Sequence, residues 1–282
     1  DVNSILGQFQ KIGISIDGQK WLSRGNVIEL YCPLPAEELR ALLHTKMDLF
    51  FLDQKIDWVV QSSGDRRKKM LITDMDSTII QCECIDELAD MAGLKDRVAK
   101  ITDAAMNGRI DFPAALRERV ALLKGLPVAQ LQKVLDERVR LTPGAMELVS
   151  TMRTYGAVCV LVSGGFTFFT EPVARRCRFH FHHACQLGIN GMELTGEVLG
   201  EIVDKEAKLR YLNFYAGTSG LTPVDVCALG DGANDVPMLE AAGLGIAFHA
   251  KENVNRAIKN RIRFNDLRAV LYVQGYSDED IG

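Results

Sequence analysis

The sequence lacks two features that would each indicate a particular class of protein. Its 282 residues contain no apolar run close to the roughly 18 residues that a membrane-spanning helix needs. Its 33 Lys and Arg residues do not outnumber its 37 Asp and Glu residues, so a net charge of −4 does not indicate the basic surface of a nucleic-acid-binding protein. We therefore expect neither a membrane nor a nucleic acid among its partners.

A disulfide framework is also missing. The seven cysteines are scattered along the chain and include no CxxC pair, which favours reduced thiols in a cytoplasmic protein. The chain begins at Asp1 rather than Met, so the lack of a signal peptide carries little weight. Apolar residues at 47% and charged residues at 25% are typical of a folded globular protein with one or two domains.

Short apolar strands alternate with amphipathic helices over most of the chain. Strands are predicted at residues 70–73, 157–163, 179–184, 224–230 and 244–247, and helices at residues 146–152, 204–215 and 236–242. This alternation predicts an α/β fold with a doubly wound, Rossmann-like parallel sheet. In such sheets, ligands bind at the carboxyl ends of the strands. Residues 85–140 show helical patterns only, which predicts a helical cap inserted after the first strand of this sheet.

The first 65 residues have a pattern of their own, and we predict a small α+β domain there. Residues 26–32 read as a strand, residues 36–45 as a helix, and residues 50–52 and 57–60 as two further strands. The polar segment 61–69 is the best candidate for a linker, and its basic run 66–69 is predicted to be a solvated hinge. The second domain would then span residues 66–282.

Polar residues that suit phosphoryl chemistry follow three of the predicted strands. Asp74 and Asp76 follow the first strand, residues 163–165 (SGG) follow another, and residues 230–235 (GDGAND) follow a third. Carboxylates are ligands for a hard cation such as Mg²⁺, and a carboxylate can attack phosphorus. A hydroxyl, bare backbone N–H groups and Lys208 suit phosphate oxygens. Together these residues indicate a metal-assisted phosphoryl-transfer site.

This set of motifs resembles the haloacid dehalogenase superfamily and, within it, the phosphoserine phosphatase family. The stretches DMDSTII, LVSGGFTFF, LTGEV and GDGANDVPMLEAAGLGIAFHAK carry the resemblance, which runs from about residue 71 to residue 264. It implies Mg²⁺-dependent hydrolysis of O-phospho-L-serine to L-serine and phosphate through an aspartyl-phosphate, the last step of serine biosynthesis in that family. It also implies that Asp74 is the nucleophile and Asp76 the general acid/base. Asp74, the backbone carbonyl of Asp76 and Asp231 would bind the metal.

The resemblance extends to the residues around the phosphate. Ser163 and Lys208 match the phosphoryl-binding residues, and Lys205 competes for the role of Lys208 because it lies only three positions earlier. Asn234 matches a contact on the phosphate side. Asp235 matches a carboxylate that orients metal-bound water or the lysine.

In the family, selectivity for the amino-acid end of the substrate comes largely from the cap. Glu83 and Arg119 fall where the family binds the ammonium and the carboxylate of phosphoserine. Met106 and Phe112 match apolar cap positions that shield the substrate, and Gly164 matches a backbone contact to it. Phosphoserine is therefore the expected small-molecule partner.

Other interpretations stay open at this point. The same chemistry suits a phosphatase or phosphotransferase that acts on another small phosphate ester, and ligand type alone does not separate Mg²⁺ from Mn²⁺. A non-catalytic phospho-acceptor switch would need neither Asp76 nor the cap. The first 65 residues faintly resemble an ACT-type domain, which would bind serine or make the contacts of a homodimer, and we favour an interaction role. A zinc site in the segment 177–185 (CRFHFHHAC) is disfavoured because its spacing matches no zinc pattern.

Overall fold

The computed structural model of the chain describes residues 2–106 and 109–281, without the side chains of residues 103, 105 and 106. Its strands are β1 (Gly18–Ser23), β2 (Val27–Tyr31), β3 (Met70–Thr73), β4 (Val158–Phe166), β5 (Phe181–Asn190), β6 (Glu193–Leu199), β7 (Val226–Gly230), β8 (Leu244–Phe248) and β9 (Asn260–Ile262). Its helices are α1 (Val2–Lys11), α2 (Ala36–Lys46), α3 (Asp48–Asp53), α4 (Cys84–Met91), α5 (Lys95–Met106), α6 (Phe112–Ala121), α7 (Val128–Glu137), α8 (Ala145–Thr154), α9 (Thr167–Cys177), α10 (Lys205–Thr218), α11 (Val236–Ala241), α12 (Glu252–Ala257) and α13 (Arg268–Val273). Among these helices, none combines the length and the apolar character needed to cross a membrane.

The larger sheet is mostly parallel, which confirms the predicted fold class. In the described residues it has seven strands in the order β6-β5-β4-β3-β7-β8-β9, and β6 is antiparallel to β5 while the other pairs are parallel. The chain moves outward from β3 through β4 and β5, and then returns to the other side of β3 with β7. The carboxyl ends of β3, β4 and β7 therefore meet at the point where the strand order reverses, the usual ligand position in open α/β sheets.

Strand β3 lies at the centre of the sheet and is buried on both faces. All four of its residues are buried, and they alternate between two apolar cores because successive side chains in a strand point to opposite faces. Leu71 packs in the core with α8, α9 and the cap helices, whereas Met70 and Ile72 pack in the core with α10, α11 and α12. This burial on both faces explains why the strand reads as a continuous apolar run.

The predicted helical cap is present. Between β3 and α8 the described chain forms α4, α5, α6 and α7, and no strand. Helix α6 begins after Asp111, whose carboxylate accepts the backbone N–H of Ala114 at 2.7 Å, and has Pro113 in its first turn. Both features are common helix starts. The cap contacts the sheet through α6 and β6.

Part of the predicted secondary structure before residue 60 is wrong. Phe50–Leu52 is not a strand but lies in α3, and residues 57–60 have no regular secondary structure. A run of three or four apolar residues fits a short helix as well as a strand, since periodicity cannot separate them at that length. Helix α1 and strand β1 were not predicted. The strand near residues 26–32 and the helix near residues 36–45 are confirmed as β2 and α2.

Residues 2–60, which we call the N-terminal module, have a small core of their own. Phe9, Leu43, Met47 and Phe51 are buried together in it, apart from the cores of the larger sheet. The module also docks on the far end of the chain, because the carboxylate of Asp57 accepts backbone N–H bonds from residues 263–265 at 2.7–3.1 Å. The domain boundary at residue 65 and the ACT-type resemblance stay predictions.

The basic run 66–69 is not the solvated hinge that we predicted. Arg66 makes an ion pair with Glu29 of β2. The guanidinium of Arg67 lies 4.8 Å from the ring centre of Tyr155 and 4.2 Å from that of Tyr276. These contacts tie the segment to both parts of the chain, and a local charge pattern does not reveal such distant partners.

Candidate active site

The predicted site residues gather at the carboxyl ends of β3, β4 and β7. Asp74 follows β3 directly, and its backbone N–H donates to the carbonyl of Leu229 in β7 at 3.0 Å. Ser163 lies in the last part of β4, and Asp231 follows β7. All three side chains are buried. Residues separated by more than 150 positions therefore share one small volume because their strands are neighbours and parallel.

Lys208 is fully buried and links two of the carboxylates. Helix α10 begins after Asp204, which accepts the N–H of Ala207, and this start directs Lys208 toward the sheet. The Lys208 Nζ lies 2.9 Å from Asp74 Oδ2 and 2.6 Å from Asp235 Oδ1. Lys205 is the poorer candidate, because its side chain is 58% exposed and its Nζ lies 3.7 Å from Glu206 Oε1, outside the site. The geometry favours Lys208.

Asp76 and Ser163 form a second connected pair. Ser163 Oγ donates to Asp76 Oδ2 at 3.2 Å, and the backbone N–H of Cys84 donates to Asp76 Oδ1 at 2.9 Å. Ser163 Oγ in turn accepts the backbone N–H of Gly165 at 2.8 Å. Asp76 is therefore oriented from two sides, with its carboxyl group beside the hydroxyl predicted to contact phosphate.

Gly165 provides the close approach that this pair needs, and Gly165→Ala tests it. A Cβ at this position would lie 2.6 Å from Asp76 Oδ2 and 3.0 Å from Ser163 Oγ, so at least one of these groups must move. We expect the phosphoryl-transfer activity that the sequence predicts to fall by about tenfold or more, because a displacement of this size disturbs the predicted acid/base. The matched control is Gly217→Ala in α10, where a Cβ meets nothing within 4 Å. Native activity in Gly165→Ala would show that the close approach is unimportant.

Three carboxylates form the candidate metal cluster in the described residues. Oxygen atoms of Asp74, Asp231 and Asp235 lie within 4.8 Å of one another, and all three residues are buried. We predicted Asp74 and Asp231 as ligands and Asp235 as an orienting residue. Asp235 Oδ1 accepts from Lys208, and its Oδ2 accepts the N–H groups of Asp231 and Gly232 at 3.2 and 3.0 Å. These bonds suit an orienting role, and the ligand role of the Asp76 carbonyl stays a prediction.

Burial and mutual repulsion dominate the electrostatics of the site. Burial raises the pKa of Asp74 well above its usual range, and the charge of Asp235 adds to this shift while that of Lys208 opposes it. Burial and the charge of Asp235 raise the pKa of Asp231 to about 7. Burial alone would lower the pKa of Lys208, but the charges of Asp235 and Asp74 outweigh it and raise the pKa above its ordinary value. The site thus holds more negative charge than its ammonium neutralises.

The pKa of Asp76 suits proton transfer near neutral pH. Burial, followed by the charge of Glu83, raises this pKa to about 6, while the hydrogen bonds from Cys84 and Ser163 oppose the shift. A carboxyl group with such a pKa can be protonated in one step and ionised in the next.

The cap brings two of its predicted residues to the edge of the site. The ring of Phe112 covers Gly164, since a Cβ added there would lie 2.8 Å from Phe112 Cζ. Glu83 accepts a hydrogen bond from Ser77 Oγ at 2.7 Å, and Ser77 has the unusual φ of 54°. Such backbone strain is concentrated at functional turns. The side chain of Met106 lies outside the described residues, so its predicted role stays a prediction.

Arg119 lies close enough to three carboxylates for their charges to act on it, but it makes no ion pair within the described residues. Burial lowers the pKa of its guanidinium, while the charges of Asp86, Glu83 and Asp76 raise it. Its Nε donates a hydrogen bond to the carbonyl of Ala115 in the same helix at 3.3 Å. Within the described residues no carboxylate pairs with it at ion-pair distance, which leaves its planar donor face available to a ligand.

The turn after β7 contains one predicted residue and brings in one that we missed. Asn234 is half-buried, and its Oδ1 lies so close to Gly232 that a Cβ there would approach within 2.4 Å. Thr78 Oγ1 lies 3.4 Å from Asp231 Oδ1, a long contact that ties the first motif to the third. Thr78 belongs to the motif Asp-x-Asp-x-Thr, so its spacing was the available signal.

The three imidazoles of the histidine-rich segment each have a different hydrogen-bond partner. His180 accepts from the N–H of Cys159, His182 contacts Thr170, and His183 contacts the hydroxyl of Tyr215 at 2.7 Å. Each imidazole is thus engaged separately along β5 and its approach. The metal-ligand cluster found in the described residues is the one at the strand ends.

Comparison with known proteins places this site among related enzymes. A family model described as haloacid dehalogenase-like hydrolase matches residues 71–240. A phosphoserine phosphatase of Archaeoglobus fulgidus is 43% identical over 77% of this chain, and the chain spans 62% of that relative's length. A phosphoserine phosphatase of Lactococcus lactis is 42% identical over 76% of this chain and 99% of its own length.

One solved structure bears on the chemistry. It is described as a phospho-aspartyl intermediate analogue of phosphoserine phosphatase. Its sequence is 38% identical, and the match covers 73% of this chain and 98% of that chain with a TM-score of 0.69. The residues that the family model matches include Asp74, Ser163, Lys208 and Asp231.

Proposed function

The chain belongs to the haloacid dehalogenase-like hydrolases and, within them, to the phosphoserine phosphatases, and on this premise we propose that it hydrolyses O-phospho-L-serine to L-serine and phosphate. We further propose that the reaction passes through an aspartyl-phosphate on Asp74 and serves as the last step of serine biosynthesis. The observation that carries the proposal is the pairing of Asp74 with buried Lys208 beside the Asp76–Ser163 pair.

The geometry suits a two-step displacement. Lys208 holds the Asp74 carboxylate at the strand ends, and with Ser163 it would bind the non-bridging phosphate oxygens. Asp74 would attack phosphorus as the bond from phosphorus to the serine oxygen breaks, while Asp76 gives that oxygen its proton. Asp76, now ionised, would take a proton from the water that attacks the aspartyl-phosphate and releases phosphate. Positioning and charge stabilisation supply most of the acceleration in such reactions.

The donor set fits a hard divalent cation, and we propose Mg²⁺. Asp74 and Asp231 present carboxylate oxygens within 4.8 Å of each other, and the buried carboxylates exceed the charge of Lys208. All-oxygen donor sets suit Mg²⁺. The side chains of Asp74 and Asp231 and the carbonyl of Asp76 would hold the ion, and a bound Mg²⁺ would neutralise phosphate charge. Asp235 would orient its surroundings through its bonds to Lys208, Asp231 and Gly232.

Thermal unfolding tests the metal site without relying on activity. We expect Mg²⁺ to raise the unfolding midpoint, because a ligand that binds the folded state stabilises it. The increase should be larger at pH 7.5 than at pH 5.5, since the Asp231 pKa of about 7 leaves it mostly protonated at the lower pH. Asp231→Asn should remove most of the Mg²⁺ effect, whereas exposed Asp53→Asn should leave it unchanged. An equal Mg²⁺ effect in Asp231→Asn would contradict the ligand assignment.

The cap contains complementary groups for the amino-acid end of the substrate. Arg119 has no carboxylate partner among the described residues, and a guanidinium can bind a carboxylate through two parallel hydrogen bonds. Glu83 supplies negative charge for an ammonium group and is positioned by Ser77. Phe112, packed over Gly164, would exclude water from the closed site. We propose that these groups select phosphoserine over simpler phosphate esters.

A substrate panel tests this selection. Phosphate release should be much faster with O-phospho-L-serine than with phosphoethanolamine, which lacks the carboxylate. Arg119→Ala should reduce kcat/KM for phosphoserine by about a hundredfold, the cost of losing a hydrogen-bonded charge partner, and should affect phosphoethanolamine little. The matched control is Arg117→Ala, an exposed arginine on the same helix. Equal losses on both substrates would refute the carboxylate-binding role, and equal rates in the native protein would favour another small phosphate ester.

A further inference from the structure

A cavity of about 140 Å³ lies between the N-terminal module and α12, on a different part of the chain from the strand-end site. Helix α2 and Trp58 form one side, and α12 with the start of β9 forms the other. The cavity lining includes Arg40, Trp58, Asn255, Arg256, Lys259 and Arg261, and the remaining lining residues carry no carboxylate. None of these lining residues is acidic. The cavity therefore has four cationic side chains and no carboxylate in its wall.

The carboxylates that pair with these cations lie outside the lining. Glu37 contacts Arg40 at 2.7 Å and Lys259 at 3.2 Å, so one carboxylate serves two cations. Asp48 lies 3.8 Å from Arg261, near the limit of an ion pair. Arg256 pairs with Glu252 one turn earlier in α12. Three carboxylates thus pair with four cations, and none of the three carboxylates lines the cavity.

Two buried polar atoms of lining residues have no hydrogen-bond partner within the described part of the chain. Arg40 uses its terminal nitrogens for Glu37 and the carbonyl of Val60, while its Nε–H is buried and unpaired. Asn255 is only 7% exposed, and its amide nitrogen donates to the carbonyl of Ala250 at 2.7 Å. Its Oδ1 is buried without a donor. Buried polar groups are almost always hydrogen-bonded, so an unpaired donor and an unpaired acceptor on two residues of the cavity wall indicate a partner that these side chains would reach by turning toward the cavity.

Arg261 shows the same imbalance. Only 12% of its side chain is exposed, and its guanidinium lies 5.9 Å from the ring centre of Trp58. Burial and the nearby charge of Arg263 lower its pKa, which the charges of Asp48 and Glu252 only partly offset. An anion in the cavity would relieve this cost, because buried charges are stable when they are paired and hydrogen-bonded.

We propose that this cavity is a second ligand site, which binds a small oxyanion that also carries a hydrogen-bond donor. The oxyanion would face Arg40 and Arg261, and the donor would face Asn255 Oδ1. The volume is several times the roughly 30 Å³ of one water in the liquid and so admits hydrogen phosphate or a small amino-acid zwitterion. Both have the required chemistry, whereas sulfate at neutral pH lacks the donor.

Tryptophan fluorescence provides a readout at this cavity. The sequence has two tryptophans, Trp21 and Trp58, and Trp21→Phe leaves Trp58 in the cavity wall as the only reporter. Inorganic phosphate and L-serine are titrated separately into this variant of the 282-residue chain. Sulfate is the donor-free comparison for phosphate, and acetate is the donor-free comparison for serine. We expect phosphate or serine to cause a saturable change in Trp58 fluorescence. The matching anion without a donor, sulfate for phosphate or acetate for serine, should bind about tenfold more weakly or not at all. The titration that saturates shows whether the ligand is phosphate or an amino acid.

Substitutions in the cavity and substitutions away from it complete the test. Arg261→Gln should weaken the affinity for the ligand about tenfold. Lys259→Gln, at an exposed residue of the same cavity, should also weaken it. The remote exposed variant Arg210→Gln should leave it unchanged. Ser163→Ala at the strand-end site should also leave it unchanged. A signal that survives both cavity variants, or that disappears in Ser163→Ala, or no saturable signal with either ligand, would overturn the proposal.

Discussion

Asp74→Asn is expected to abolish phosphate release from O-phospho-L-serine while leaving the protein folded. The proposed mechanism needs the Asp74 carboxylate to form a bond to phosphorus, and an amide oxygen is a far weaker nucleophile. The expected loss in kcat is about a thousandfold or more, as is usual when the nucleophile of a covalent mechanism is removed. Steady-state phosphate release at saturating substrate measures this loss.

The stability of this variant separates a chemical effect from a structural one. Asp74 lies among mutually repelling carboxylates, and Asp235 still pairs with Lys208 when Asp74 is neutral. The unfolding midpoint should therefore be unchanged or higher, a common result when a strained active-site residue is neutralised. In the native protein, acid quenching during turnover should trap phosphate on the peptide that contains Asp74. Activity above a few per cent in Asp74→Asn, or phosphate trapped on another peptide, would remove Asp74 as the nucleophile.

Lys208→Met is expected to abolish activity and, unlike Asp74→Asn, to destabilise the fold. Lys208 is fully buried, and both Asp74 and Asp235 depend on its ammonium. Removing one partner of a buried ion pair leaves uncompensated charge and costs about 3–5 kcal/mol. Urea unfolding without divalent metal measures this loss.

The destabilisation of Lys208→Met should shrink as the pH falls. Without the ammonium, burial and repulsion shift the pKa of Asp74 further above its unfolded value. A carboxyl group with a raised folded pKa stays protonated in the folded state while the unfolded state ionises, so stability falls as pH rises above the unfolded pKa of about 4. We therefore expect a smaller difference from the native protein at pH 5 than at pH 7.5.

Lys205→Met is the matched control for this prediction. Lys205 lies one turn earlier on α10, but its side chain is 58% exposed. Substitutions at such surface positions usually change stability by no more than about 0.5 kcal/mol. If Lys205→Met lost activity and Lys208→Met did not, the assignment of the two lysines would be reversed.

The sequence alone was sufficient for the fold class, for five of the seven strands in the larger sheet and for the meeting of the three strand-end motifs at one edge. Buried parallel strands read as apolar runs because both faces are covered, and the polar residues that follow them in the chain necessarily lie at their carboxyl ends. Asp74, Ser163 and Asp231 could therefore be placed at one edge before any coordinates were known. The family resemblance supplied their roles, which local patterns do not contain.

Two kinds of information were absent from the sequence. Short segments such as Phe50–Leu52 carry too few residues for their periodicity to separate helix from strand, and packing against Leu43 and Met47 decides the outcome. Long-range partners are likewise invisible, as the contacts of Arg67 with Tyr155 and Tyr276 show.

The sequence by itself determined which chemistry the protein carries, because residue types and their order after each strand are local properties. The tertiary structure decided which groups meet. It buried Lys208 between two carboxylates while leaving Lys205 in solvent, and among the described residues it gave Arg119 no ion-pair partner. It also joined Arg40 to Arg261 around one cavity. Burial and pairing arise from contacts between distant segments, and they set the pKa values and unpaired donors from which function follows.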